Sequence, residues 1–319
     1  MTYSSDAKRE LCRLKIGSRI EALLELSALS RMNATLRMSQ GRMQIRFLSE
    51  SPDVIRRTAQ LSRRLYGDEL PMEMRRNDQL QQTPLYQTFL EGDVVEQFLE
   101  QSALDMLGNY TEEKERVLGR LQSEANGCAY LRGAFLGGGS IVDPEKSYHL
   151  EMVIPNEADV WIVLQVLASL DIPAKRMERR GTSVVYLKDS ESIASFLVAI
   201  GATQAMLKLE DVKAMKDLRN GINRKINAET ANMDKSIEAA FQQIDAIEYL
   251  ARTVGLDALS EGLSEMCFVR LRHPEANMRQ LGELLNTPIG KSGVNHRLKR
   301  LLELAEQHGW ERKKTGASF

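Results

Sequence analysis

Cys128-Ala129-Tyr130-Leu131-Arg132-Gly133-Ala134-Phe135-Leu136-Gly137-Gly138-Gly139-Ser140 reads as an apolar helix that runs into three glycines and then a strand. No Asp or Glu occurs from Ala125 to Val142. A fainter counterpart lies upstream, Leu24-Glu25-Leu26-Ser27-Ala28-Leu29-Ser30-Arg31-Met32-Asn33-Ala34-Thr35-Leu36, and no acid occurs from Leu26 to Ser49. The same succession of elements follows each stretch, which points to a duplicated domain.

In the first copy a helix through Ile20–Met32 precedes strands at Thr35–Met38 and Arg42–Leu48, around a Ser39-Gln40-Gly41 turn. Met43, Ile45 and Phe47 alternate with Arg42, Gln44 and Arg46, the period-two mark of a half-buried strand. Pro52 opens a helix to Tyr66; Leu70–Arg75 and Leu85–Leu90 read as strands and Asp93–Leu107 as a helix. In the second copy Ser140–Val142 and Tyr148–Ile154 form a hairpin around Asp143-Pro144-Glu145-Lys146. A helix from Glu157 to Leu170 follows. Ala174–Arg179 and Ser183–Leu187 form a second hairpin around Arg180-Gly181-Thr182, and Ser190–Ile200 closes with a helix. The expected fold class is α+β, a duplicated αββαββα domain over residues 1–205. Its halves are about 1–110 and 125–205, jointed at Gln122–Gly127.

Beyond it, residues 206–256 are expected to be a helical linker, and 257–310 an all-α domain. Met278, Leu281, Leu284 and Leu285 mark a short amphipathic helix, Asn286-Thr287-Pro288-Ile289-Gly290 a turn. Val294, Leu298, Leu301, Leu302 and Ala305 share one face of a second helix. Two helices joined by a short turn, the second basic, read as a helix-turn-helix. The tail 311–319 is expected to be disordered.

Composition excludes more than it assigns. A chain of 319 residues can bury two or three cores, and a net charge of −1 names no partner. The N-terminus has no apolar core of a signal peptide, and no apolar run reaches the ~18–20 residues of a membrane span. Cys12, Cys128 and Cys267 make no paired spacing, and His149, His273, His296 and His308 are scattered. The expectation is a reducing cytoplasm, no metal site and no cofactor. Gly137-Gly138-Gly139 is not a dinucleotide fingerprint, because that motif follows a strand and opens a helix. Gly290-Lys291-Ser292 is not the end of a P-loop, because Leu285 occupies the required upstream glycine position.

The duplicated helix resembles the motif of the LAGLIDADG homing endonucleases. In that family small residues pack two motif helices across a pseudo-twofold axis, and an acid beside the final glycine holds the catalytic metal ions. Leu131, Gly133, Phe135 and Gly139 fit the pattern, but Gly138 stands at the acid position. Asn33 stands there in the upstream copy, with Ala34 for the glycine. Metal-assisted hydrolysis needs hard anionic oxygens, which neither residue supplies. The resemblance further implies a sheet face laid on DNA, where Arg37, Arg42, Gln44 and Arg46, with Lys175, Arg179 and Arg180 in the second half, suit phosphate and base-edge contacts. Glu73 and Glu151 fall on comparable strands and would repel phosphate.

Asn220, Asn223 and Asn227 share one helical face beside Arg219, Arg224 and Lys225. Asparagine is a modest helix former, so these three serve either phosphate and base contacts or a domain junction, the junction being preferred. In the C-terminal unit the second helix is expected to read DNA through Lys291, Ser292, Asn295, His296, Arg297, Lys299 and Arg300.

Together the degenerate duplication, the Lys216–Asn232 segment and the Gly290–Leu301 segment resemble the WhiA family over nearly the whole chain. The resemblance implies a bacterial DNA-binding regulator without cleavage chemistry, associated with sporulation transcription or with cell division and chromosome segregation. It implies double-stranded DNA as partner, another transcription regulator or RNA polymerase as a candidate second, a cytoplasmic and nucleoid-associated location, and no membrane or small-molecule substrate. Two rival readings stand beside it: a metal-dependent endonuclease using unrecognised acids, and a protein-interaction platform with auxiliary DNA contact.

Overall fold

In the computed structural model the chain divides into two compact units, Met1–Asp217 and Leu218–Phe319. The structure describes residues 2–39, 41–67, 69–75, 84–103, 112 and 114–311. Among them no helix is long and apolar enough to cross a membrane.

The first unit opens with α1 (Tyr3–Cys12) and then runs twice through the expected order. The first copy is α2 (Arg19–Asn33), β1 (Ala34–Ser39), β2 (Arg42–Ser49), α3 (Pro52–Tyr66), β3 (Glu73–Arg75), β4 (Leu85–Glu91) and α4 (Asp93–Gln101). After α5 (Lys114–Arg120) comes the second: α6 (Glu124–Gly138), β5 (Gly139–Ile141), β6 (Leu150–Ile154), α7 (Glu157–Ser169), β7 (Lys175–Arg179), β8 (Thr182–Leu187) and α8 (Ser190–Ile200). Each copy makes a four-stranded sheet of antiparallel neighbours, ordered β1-β2-β4-β3 and β5-β6-β8-β7.

The two motif helices form the centre. Ser18 caps α2: its hydroxyl accepts from the Glu21 amide at 3.3 Å, and the Glu21 carboxylate accepts from the Ser18 amide at 3.1 Å. Both helices are buried along most of their length, Leu24–Ser30 on α2 and Gly127–Leu131 with Gly133–Leu136 on α6, as expected of helices apolar on nearly all sides. A β-carbon at Gly133 would collide with the Glu25 carbonyl, and one at Gly137 would lie 2.7 Å from Met32 Cβ. The backbones therefore pack where only glycine fits.

Charge is buried beside this seam. Glu25 accepts from Arg57 Nε at 2.7 Å and Nη2 at 3.0 Å, and from Arg132 Nη1 of the opposite motif helix at 3.1 Å. Arg57 also donates to the Leu14 carbonyl at 2.5 Å. Arg31 of α2 pairs with Asp159 of α7, again across the two copies. Such groups are tolerated in a core only when paired and hydrogen-bonded.

The structure departs from the sequence reading in several places. Helix α1 was not foreseen, although Tyr3, Ala7 and Leu11 are spaced to bury one face and Thr2 with Ser5 forms a capping box. Nor was α5. The strand expected at Leu70–Arg75 shrinks to Glu73–Arg75, because Pro71 has no amide to pair and its carbonyl is taken by the Thr88 hydroxyl at 2.8 Å. Helix α6 starts at Glu124, inside the expected joint. The hairpin around Arg180-Gly181 has both residues at positive φ, 54° and 75°, as a two-residue turn requires. The helix expected at Asp93–Leu107 stops at Gln101, where the Ser102 amide donates to the Phe98 carbonyl at 2.9 Å and Ala103 takes a φ of 57° that a helix cannot continue; residues 104–107, the turn residue Gln40 and the tail beyond Glu311 lie outside the described residues.

Helix α9 (Thr203–Thr253) contributes to both units. In the second unit its last turns join α10 (Glu261–Arg272), α11 (Met278–Glu283) and α12 (Lys291–Gln307) around Ile247, Leu250, Met266, Cys267, Leu281, Leu285, Val294, Leu298, Leu301 and Trp310. Leu284 is exposed and Leu302 half-buried, so the seam between α11 and α12 is narrower than the apolar pattern.

Removing Glu25 leaves two arginines facing each other without their shared anion. Glu25→Ala is expected to lower the stability of the first unit by about 3–5 kcal/mol, read as a shift of its urea transition.

Candidate nucleic-acid interface

At the end of α6 the acid position of the motif is closed. A β-carbon at Gly138 would lie 2.5 Å from the Val153 carbonyl oxygen and 3.4 Å from Met32 Cβ. The first distance is well inside the ~3.3 Å of ordinary carbon–oxygen contacts, so the carbonyl of β6 occupies the space a side chain would need. In the other copy Asn33 donates from Nδ2 to the Leu48 carbonyl at 3.3 Å, while its Oδ1 is buried with no hydrogen bond among the described residues. This pair does not fit a divalent metal: one position offers no side chain and the other one neutral oxygen. Among the described residues no group of three or more His, Cys, Asp or Glu could hold a metal ion. Burial pushes the Cys12 and Cys267 thiols up to about 12, so neither is a thiolate at neutral pH.

The second unit offers a different geometry. Asn277 caps α11 by accepting from the Arg279 and Gln280 amides at 3.0 and 3.1 Å, and Gln280 returns the bond to the Asn277 amide. The chain then turns back tightly: the Ile289 amide donates to the Gly282 carbonyl at 3.2 Å, and a β-carbon at Gly282 would meet the Ile289 carbonyl. Helix α12 follows Gly290 with no side chain capping it; the Gly293 amide turns back to the Gly290 carbonyl at 2.9 Å, and the Lys291 and Ser292 amides have no intrahelical acceptor, a position where an anion is favoured. Val294, Leu298, Leu301 and Ala305 are buried; Lys291, Ser292, Asn295, His296, Lys299 and Arg300 are exposed. Period 3.6 places Ser292, His296, Lys299 and Arg300 on the side opposite the core and Asn295 at its flank, whereas Lys291, seven residues before Leu298, is in line with the buried face and is exposed at the first turn.

Arg297 lies elsewhere. Its guanidinium donates to the Gly262 carbonyl of α10 at 3.1 Å and stands 3.7 Å from the Glu265 carboxylate. Glu265 also accepts from the Asn286 amide at 2.6 Å. One acid of α10 therefore holds both the turn and the helix behind it.

Sequence comparison agrees with this division. Residues 19–105 match the profile described as the WhiA N-terminal LAGLIDADG-like domain, 127–219 the WhiA LAGLIDADG-like domain, and 222–305 the WhiA C-terminal HTH domain. The chain is 38% identical over 307 residues to the "Probable cell division protein WhiA" of Desulfitobacterium hafniense (strain Y51), covering 96% of each chain. The chain belongs to the WhiA family. The Staphylococcus aureus (strain Newman) relative of the same description is 36% identical over 311 residues, covering 96% of this chain and 97% of that one. The crystal structure of full-length DUF199/WhiA from Thermatoga maritima superposes with a TM-score of 0.60 at 28% identity, covering 98% of this chain and 100% of that one.

In this WhiA-family chain the sheet faces differ from what the alternation alone conveyed. Arg37, Gln44 and Glu91 stand in one row across β1, β2 and β4, and Arg46 in the next. Arg37 donates to Gln44 at 3.1 Å and stacks 4.8 Å from the Phe89 ring, while Gln44 bonds Glu91. Glu69, Glu73 and Glu91 line, with Arg37 and Gln44, a hollow of about 510 Å³. The basic character of this face is offset by acids, of which Glu69 and Glu91 were missed; for Glu91 the alternation of β4 was the available signal. On the second sheet Lys175 shares a row with Tyr186, Glu151 and Ser140, and Arg179 is exposed at the end of β7. Arg42 is exposed at the start of β2. Arg219, Asn220, Asn223, Arg224 and Asn227 are all exposed on α9, so burial does not account for the asparagines.

Restoring both acids tests the closure at Gly138. Asn33→Asp/Gly138→Asp is expected to destabilise the first unit by about 1–3 kcal/mol through overpacking against β6. It is also expected to produce no magnesium-dependent nicking of supercoiled DNA, checked by thermal unfolding and by gel.

Proposed function

We propose that this protein is a non-catalytic regulator that binds duplex DNA through α12. The observation that carries the reading is the uncapped start of that helix, with Lys291 exposed at its first turn and Ser292, Asn295, His296, Lys299 and Arg300 exposed along it. An α-helix fits the major groove, where amides read base edges and cations anchor phosphates. Lys291 and Ser292, at the positive end of the helix, suit phosphate. Asn295 and His296 suit base edges one turn further on. Lys299 and Arg300 suit the flanking backbone. Arg297 belongs to the support of the helix, since Gly262 and Glu265 already take its donors.

The first unit serves this function as a LAGLIDADG-like scaffold that does not cut. Its Gly138 position is closed, and its first sheet face mixes Arg37 and Arg46 with Glu73 and Glu91. That mixture favours docking of a protein, another regulator or RNA polymerase, over continuous phosphate contact. Arg42, Lys175, Arg179 and the exposed residues of α9 form at most a secondary DNA surface. The described relatives carry the name "Probable cell division protein WhiA", and the reading puts this chain in division or sporulation control, acting in the cytoplasm on the nucleoid.

The test is titration of the full chain against promoter fragments at several salt concentrations. Lys299→Ala and Arg300→Ala are each expected to weaken binding to all sequences and to flatten the log–log salt slope by about 0.9. Asn295→Ala is expected to blur sequence preference and leave the slope unchanged. Glu303 stands 3.9 Å from Lys299 and 3.3 Å from Arg300, so Glu303→Ala is expected to tighten binding. Salt-insensitive binding, or binding indifferent to all of these changes, removes the reading.

A further inference from the structure

Arg270 is a buried cation of the second unit that lacks an anion. It stands in the last turn of α10 and is 4% exposed. Its Nη1 donates to the Ala276 carbonyl at 2.6 Å, whereas its Nε is buried with no hydrogen bond among the described residues. Burial lowers its pKa from the ordinary guanidinium value, and the charge of the exposed Glu275 opposes that from a distance. A guanidinium nonetheless stays protonated. Buried cations are as a rule paired, and a charged donor left without an acceptor is costly. Holding one carbonyl needs only a neutral donor, so the bond to Ala276 does not account for the charge.

Arg270 lines a hollow of about 360 Å³ with Ile237, Phe241 and Ile244 of α9 and with Pro274 and Ala276 of the connection to α11. A mostly apolar hollow with one convergent polar group is the common form of a specific binding site. Its apolar surface continues outside. Ile237 is 47% exposed and Phe241 69%, and Met233, one turn earlier on the same line of α9, is 59% exposed. A molecule confined to the hollow would leave Met233 in water, whereas a peptide segment covers both.

We infer that this hollow docks a segment of a partner protein that presents one carboxylate side chain among apolar ones. The carboxylate accepts from the Nε edge of Arg270, the side-on geometry that pairs two parallel N–H bonds with two oxygens. Apolar side chains cover Ile237, Phe241 and Ile244, and a further turn of an amphipathic helix reaches Met233. A neutral acceptor would complete the hydrogen bond and leave the buried charge uncompensated. The other charges nearby restrict the segment further. Glu275 lines the hollow and Glu238 follows Ile237 on α9, so a run of acids would be repelled where a single inward carboxylate is held.

The probe is a fluorescein-labelled amphipathic helical peptide with Leu and Phe on one face and a single Glu among them. It is titrated with the full-length protein and read by fluorescence anisotropy. The same peptide with Gln for Glu is expected to bind about tenfold more weakly, the difference between a charge-assisted and a neutral hydrogen bond. Arg270→Met is expected to bind both peptides alike, and Arg270→Lys to keep part of the preference. Phe241 and Glu275 are exposed, so their variants test the site without disturbing the core. Phe241→Ala is expected to weaken both peptides. Glu275→Gln is expected to tighten the Glu peptide and leave the Gln peptide unchanged, which a purely structural Arg270 would not produce. Equal binding of the two peptides to the native protein overturns the inference, as does indifference to Phe241→Ala and Glu275→Gln. So does displacement of the peptide by an equal concentration of phenylacetate, which marks a site for small acids. A protein that dimerises and takes up neither peptide gives the face to a second copy and overturns it too.

Discussion

The backbones of α2 and α6 approach so closely that Gly133 can carry no side chain, and the rest of the first unit is arranged around that contact. Two helices joined at such a distance must be small on the facing side and apolar on the others, because a sheet and further helices cover them from each copy. The same closeness carries down the helix to Gly138, where the β6 carbonyl stands in the space of the missing acid. Loss of the metal ligand and tightness of the seam are therefore one structural fact. An aspartate at Gly138 would have to push β6 away from the helix that supports it.

Close packing also shapes the charges beside the seam. Glu25 is held by Arg57 from its own copy and Arg132 from the other, and Arg31 crosses to Asp159. Buried ion pairs are weak sources of net stability, but they specify which surfaces meet, since any other pairing leaves a charge unsatisfied. Here they select the pairing of two similar halves over other arrangements of the same apolar helices.

The second unit follows the same logic with the opposite outcome for its polar groups. A tight turn after Gly282 and the shared acid Glu265 fix where α12 begins, and its cations and amides are left on the open side. The first unit ties its polar side chains to one another, Gln44 to Glu91 and Gln87 to Glu73, whereas the start of α12 leaves its own free of a cap. That contrast supports the proposal that DNA is read through α12.

The duplication, the order of elements, the strand faces and the amphipathic C-terminal helix were legible in the chain itself. Each is written as a local period or a local breaker: the alternation of Arg42–Leu48, the glycines after Leu136, the spacing of Val294, Leu298 and Leu301. The absence of acids near Asn33 and Gly138 was legible for the same reason. Facts that depend on residues far apart were not. Nothing near Arg297 announces Gly262, nothing near Gly138 announces the Val153 carbonyl, and the acids opposing Arg37 come from residues more than thirty positions away. Sequence by itself determined which faces each helix and strand would have, because side-chain direction follows backbone period. Tertiary structure alone decided which charges stay free and which spaces stay open, because both depend on what packs against each face.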